Sequence, residues 1–297
     1  MLNKVPKAAS PTDTDRELDQ AQASGPLRDL TIPPCPELLL ALRKEMQKAD
    51  PDARVIVSIA GRDVAMSASL IRTANSPFYA RSRTATSVAE ALGVLGMRMT
   101  EKILTTFLLR NSIRINSPVL EHFWDTSTRR AMAMAYISRQ IYGMDADMAY
   151  TCGLFYHVGI PVLMQGVRGY ANTLTEALAR QDRSFTATEN AAHKTDHAVV
   201  GSLVARTFRL PPAIYQAVRL HHDFTILKAD TASSEVRTLV AMALIADHLV
   251  AMHEGVAHDK EWDIYGADCL AFLKVKNAEV EIWGDALLPH FEAVTPG

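Results

Sequence analysis

Asp145-Ala-Asp-Met-Ala-Tyr150-Thr-Cys-Gly-Leu154-Phe-Tyr-His157-Val158-Gly159-Ile-Pro161 is the stretch on which the reading of this chain turns. Tyr150, Leu154 and His157 recur at offsets of four and three, so they share one face of a helix, and an imidazole on an apolar face points inward. Gly159 and Pro161 then end the helix. Directly behind the histidine stands Val158, whose isopropyl group has no lone pair to offer a cation.

Working outward, every other periodic segment also runs at helical spacing. Residues 1–29 are polar, rich in Ala, Ser, Asp and Pro, and carry no sustained apolar period, which predicts a flexible lead segment. Order is expected from Leu30. Leu38, Leu39, Leu42 and Met46 follow Pro36 at helical offsets and predict a helix to Lys48. Asp63 is a suitable N-cap for a helix carrying Met66, Leu70 and Ile71 up to Pro77. Ser87 and Glu90 fit a capping box ahead of Ala91, Leu92 and Leu95, and Gly96 stops that helix. A further helix over Thr100–Asn111 ends before Asn116-Ser117-Pro118, a natural lobe boundary. Beyond it lie helical periods at Val119–Tyr142, Asp145–His157, Ala187–Phe208, Pro212–His222 and Ser234–Glu254, then apolar residues from Glu261 onward. No run has the period of a strand. The expected fold is therefore all-α and two-lobed, with an N-terminal helical lobe over 30–116 and a helical bundle over 117–297.

Composition limits the function. The 297 residues, 48% of them hydrophobic, suffice for two packed lobes. Thirty-one basic against 33 acidic residues give a net charge of -2, with no global field to hold a polyanion, so no nucleic-acid partner is expected. The Arg81/Arg83 and Arg129/Arg130 pairs read as solvated surface charge. Cys35, Cys152 and Cys269 lack any CxxC spacing and indicate neither a disulfide framework nor a thiolate metal site. There is no apolar leader and no run near the ~20 apolar residues of a membrane span. A cytoplasmic protein without a membrane partner is expected.

Four more polar residues fall on faces that otherwise need burial. His197 opens a stripe continued by Val200, Gly201, Val204 and Phe208. His221 shares a face with Ile214 and Val218, and His222 turns about 100° away. Asp247 sits among Val240, Ala243, Leu244, Val250 and Ala251, where a carboxylate is costly without a partner. Its expected partner is His157, His197 or His221. If these helices form one bundle, the polar residues converge beneath an apolar core.

Several stretches, in this order and spacing, resemble the HDOD family, the HD-related output domain of bacterial signalling proteins. They are Ile32-Pro-Pro-Cys-Pro36, Gly61-Arg-Asp-Val-Ala-Met-Ser-Ala-Ser-Leu70 running into Ala74-Asn-Ser-Pro-Phe-Tyr79, and Ser87-Val-Ala-Glu-Ala-Leu-Gly-Val-Leu-Gly96. In the second lobe they are Phe123-Trp124, Gly153 to Gly159, Asp196-His-Ala-Val-Val-Gly201 and His221-His222. Val64 departs from the proline common in the family. The resemblance implies an HD-like second lobe whose relatives, the HD-GYP phosphodiesterases, bind two metals through a His, His-Asp, His, His-His, Asp pattern. Here that pattern falls on Thr126, His157-Val158, His197, His221-His222 and Asp247, so the first histidine and the bridging carboxylate are missing. No dinuclear site and no cofactor is expected, although a single borderline ion could still find three imidazoles. The implied function is a non-catalytic regulatory output module that meets a signalling protein or a small molecule, with the cleft between the lobes as the natural binding place. The alternative is a metal-dependent phosphohydrolase using the residual cluster.

Overall fold

A computed structural model describes residues 11–23, 27–28, 30–76, 78–79, 84–180, 182–229, 231–256 and 259–294; the Arg81/Arg83 pair and the first ten residues lie outside them. Among the described residues every regular element is a helix. The contacts divide the chain into two compact units, one over 34–114 and one made of 1–33 with 115–297.

The first helix, α1 (Pro11–Ala23), belongs to the larger unit. The smaller unit holds α2 (Glu37–Met46), α3 (Ala53–Ala60), α4 (Val64–Ala74) and α5 (Val88–Ser112). Side-chain caps set three of its starts. Asp52 accepts from the Arg54 amide, Asp63 from Met66 and Ser87 from Glu90. The Glu90 carboxylate reaches back to the Thr86 amide and hydroxyl, one residue before the cap. Gly96 has φ 76° and breaks α5 where the sequence expects a stop, but the helix resumes at once. Leu39, Leu42, Ile56, Met66, Leu70, Ala91 and Leu104 are fully buried in this unit.

The larger unit contains α6 (Phe123–Ile137), α7 (Ala146–Phe155), α8 (Gly159–Gly166), α9 (Tyr170–Ala179), α10 (Phe185–His193), α11 (His197–Thr207), α12 (Pro212–Leu220), α13 (Ser234–His253), α14 (Lys260–Leu273) and α15 (Asn277–Glu292). Its centre is α13, which packs on α6, α12, α14, α15 and α7. By length and composition α13 could cross a membrane, but Val236 to Ile245 supply a buried core stripe. The helix expected over Ala187–Phe208 is two helices. Lys194 turns into the left-handed region at φ 59°, and Asp196 caps a new start by accepting from Val199.

The lead segment departs from expectation within residues 11–23. They form α1, which packs on α11 and α12 with Leu18 and Thr14 buried. Asp15, Glu17 and Asp19 face two arginines: Arg206 pairs with Asp15 and Asp19, and Arg219 with Glu17. A polar helix thus gains order from charges contributed by distant elements, which its own apolar period does not reveal.

Candidate functional site

Three chain turns of the larger unit deliver the histidines. His157 lies in the link from α7 to α8, His197 is the first residue of α11, and His221 and His222 follow α12. A close backbone approach sets the first two side by side. A Cβ on Gly159 would stand 2.0 Å from the His197 carbonyl oxygen and 2.7 Å from the Gly201 amide nitrogen, so only glycine lets α8 meet α11 this closely. One ring nitrogen from each of His157, His197, His221 and His222 lies within 4.8 Å of all the others.

Each of three rings is anchored from behind through Nδ1. His197 Nδ1 is 2.7 Å from the fully buried Glu189 carboxylate, His221 Nδ1 is 2.6 Å from the Val218 carbonyl oxygen, and His222 Nδ1 is 2.5 Å from Glu261. These partners are acceptors, which assigns the proton of each neutral ring to Nδ1 and leaves Nε2 as a lone pair. The lone-pair nitrogens meet at the centre. His197 Nε2 is 3.0 Å from His221 Nε2 and 3.1 Å from His222 Nε2. Glu189 also accepts from the Tyr170 hydroxyl and, at 3.3 Å, from the His197 amide.

Burial pushes His157 and His221 well below the ordinary imidazole range, with Arg130 and the neighbouring rings acting in the same direction. His222 is shifted the other way: burial opposes its charge, but the Glu261 carboxylate, supported by Glu189 and Asp196, outweighs it. Tyr156 lies beneath, 4.4 Å from the His221 ring, and burial raises its hydroxyl well above its usual value. Phe185 covers the cluster from α10, 4.9 Å from His197 and parallel to His222.

Asp247 has a different partner from the expected one. Its carboxylate pairs with Arg130 of α6, not with an imidazole. Arg130 is therefore no surface charge: it is 4% exposed and lies 5.8 Å above the Tyr156 ring. Arg129 binds Glu254 at 3.0 Å, and Thr126 donates to the same carboxylate at 2.8 Å. Val158 is fully buried and packs toward Gly201. Neither position brings a metal-ligating group to the cluster.

Above the histidines opens a cavity of about 610 Å³, lined by residues between 119 and 265. His157, His197 and His222 form its polar side, with Arg130 and Asp247 beside them, and Ile160, Leu174, Phe185 and Leu244 are among its apolar walls. At its edge Val119, Leu178, Val256 and Ile264 are all more than half exposed, an unusual concentration of large apolar side chains in water. Its cations already have partners. Arg180 binds Glu176 and Asp182, Arg183 binds Glu176, and Lys260 donates to the carbonyls of Arg180 and Arg183.

A helical bundle that gathers histidines from the ends of successive helices is HD-like in class. The HDOD domain family matches residues 32–224, and the chain belongs to that family. A solved HDOD domain protein of Geobacter sulfurreducens superposes with a TM-score of 0.73 at 18% identity, over 95% of this chain and 98% of that one. A second solved structure, of a protein from Shewanella amazonensis SB2B with the provisional name of phosphohydrolase, gives 0.69 at 17% identity over 95% of each chain. Among curated proteins, an uncharacterized protein of Treponema pallidum (strain Nichols) is 20% identical over 265 residues; the alignment spans 88% of this chain and about half of that protein.

Sequence reasoning found all four histidines but missed Arg130, Glu189 and Glu261. The acid at position 189 carried a usable signal, since it sits in an apolar helical period eight residues before His197. Glu261 and Arg130 carried none, because each is defined by a residue far away in the chain.

Proposed function

We propose that this chain is a non-catalytic regulatory output module of bacterial signal transduction, acting in the cytoplasm by binding a signalling protein or a small ligand. The observation that carries this reading is that, among the described residues, the carboxylates nearest the histidines are engaged elsewhere, Glu189 and Glu261 behind the rings and Asp247 with Arg130, so that none bridges their Nε2 atoms. The place of a bridging aspartate is taken by the buried Val158, Thr126 is engaged by Glu254, and Asp247 is held by Arg130. In-line hydrolysis of a phosphoester needs a hydroxide held between cations that a carboxylate bridges, and nothing here performs that task.

The cavity supports the same reading. A phosphate-rich substrate needs free cations to receive it, but Arg130, Arg180, Arg183 and Lys260 are already bonded to carboxylates or carbonyls. Its exposed apolar edge instead favours a ligand or partner segment with an apolar body. The reading is tested with chromogenic phosphodiesters and phosphomonoesters in the presence of Mg, Mn or Fe(II). The expected rate equals that of metal and buffer alone. Protein-dependent turnover that a chelator removes would move the chain to the alternative, a metal-dependent phosphohydrolase.

A further inference from the structure

We propose that His157, His197, His221 and His222 hold one late first-row transition-metal ion through imidazole nitrogens alone, with Glu189 and Glu261 as positioning residues for two of the rings. This goes beyond the regulatory reading, and beyond the family resemblance, from which no dinuclear site and no cofactor is expected although a single ion could still find three imidazoles. Three observations carry it. The first is the direction of the ring nitrogens: with Nδ1 of His197, His221 and His222 committed to Glu189, the Val218 carbonyl and Glu261, the Nε2 atoms of the neutral rings are acceptors, and that of His197 faces those of His221 and His222 across 3.0 and 3.1 Å. Facing acceptors repel unless a cation or a proton lies between them.

The second observation is spacing. Metal–nitrogen bonds of about 2.0–2.1 Å, set at right or tetrahedral angles, put neighbouring ligand nitrogens roughly 2.8–3.4 Å apart. The two Nε2 pairs fall in that interval. The third is the outer shell. A carboxylate or carbonyl behind three of the four rings, those of His197, His221 and His222, fixes their tautomer and orientation, the usual arrangement of metal-binding imidazoles. The buried Glu189, itself held by Tyr170, gives His197 a fixed direction. Because every donor is an imidazole, the site selects Zn, Co, Ni or Cu over Mg or Ca, which demand oxygen. Because no carboxylate bridges, it holds one ion. His157, His197 and His222 line the cavity, so an open coordination position would face it.

The test uses untagged full-length protein, stripped with chelator and titrated with Co(II) while visible absorption is followed. One equivalent is expected to produce bands of low-coordinate Co(II)–nitrogen, displaced by Zn and unaffected by excess Mg. His222→Ala is chosen because His222 is not fully buried and the variant is expected to fold; it should abolish the bands. Glu261→Ala should weaken Co(II) binding by about 10- to 100-fold with the circular dichroism spectrum unchanged. If wild-type protein develops no bands, if two equivalents bind, or if His222→Ala binds as wild type, the proposal is overturned. Hydrolysis by the one-ion protein would instead overturn the regulatory reading and leave this site standing.

Discussion

Arg130 and Asp247 show what a single residue conceals in a sequence. An arginine next to another arginine reads as surface charge, and only the fold reveals that Arg130 is sealed against α13 with Asp247 as its partner. Asp247 was legible as a carboxylate needing neutralisation, but its partner was not, because nothing local distinguishes an imidazole of another helix from a guanidinium. The pair yields a prediction. Asp247→Ala orphans a buried guanidinium and should lower stability by about 1–3 kcal/mol, whereas Asp247→Asn keeps an acceptor and should cost less. Urea denaturation midpoints measure both. Equal midpoints for the alanine variant and wild type would mean that the ion pair does not hold α6 to α13.

At the scale of elements, two capped starts were readable. Asp63 and Ser87 each accept from the first helical turn, as their positions before apolar periods predict. The break between α10 and α11 was not, because Lys194 enters the left-handed region without the glycine that would announce it. The contact of α8 with α11 makes a sharper prediction, since the obstacle to a side chain at Gly159 is backbone and cannot rotate away. Gly159→Ala should cost about 3 kcal/mol or more, at or above the usual range for overpacking. Gly93→Ala meets nothing within 4 Å inside α5 and should be neutral or stabilising by up to about 1 kcal/mol. Thermal melts of the two variants decide this, and similar melting temperatures would refute the close approach. The α1 helix gives another. Its pairings with Arg206 and Arg219 are partly exposed and weaken as salt screens them, so amides of residues 14–22 should exchange faster in high salt than in low. Salt-independent protection there would assign the docking of α1 to Leu18 instead.

For the whole molecule, the all-α class was legible because every apolar run repeats at helical spacing. The convergence of histidines was legible only conditionally. Each ring could be assigned to an inward face, but their meeting depends on how the ends of α7 and α12 come to the start of α11, a matter of packing between distant segments. The carboxylates behind the rings lay outside that reasoning altogether. The proposed regulatory role has this site work by being occupied rather than by turning over. Its most direct test is ³¹P NMR of a cyclic dinucleotide mixed with an excess of protein supplied with Mn, Fe(II) or Co(II). The predicted result is a diester resonance that persists unchanged. A growing phosphomonoester resonance, lost on adding chelator and absent with folded His222→Ala protein, would contradict it.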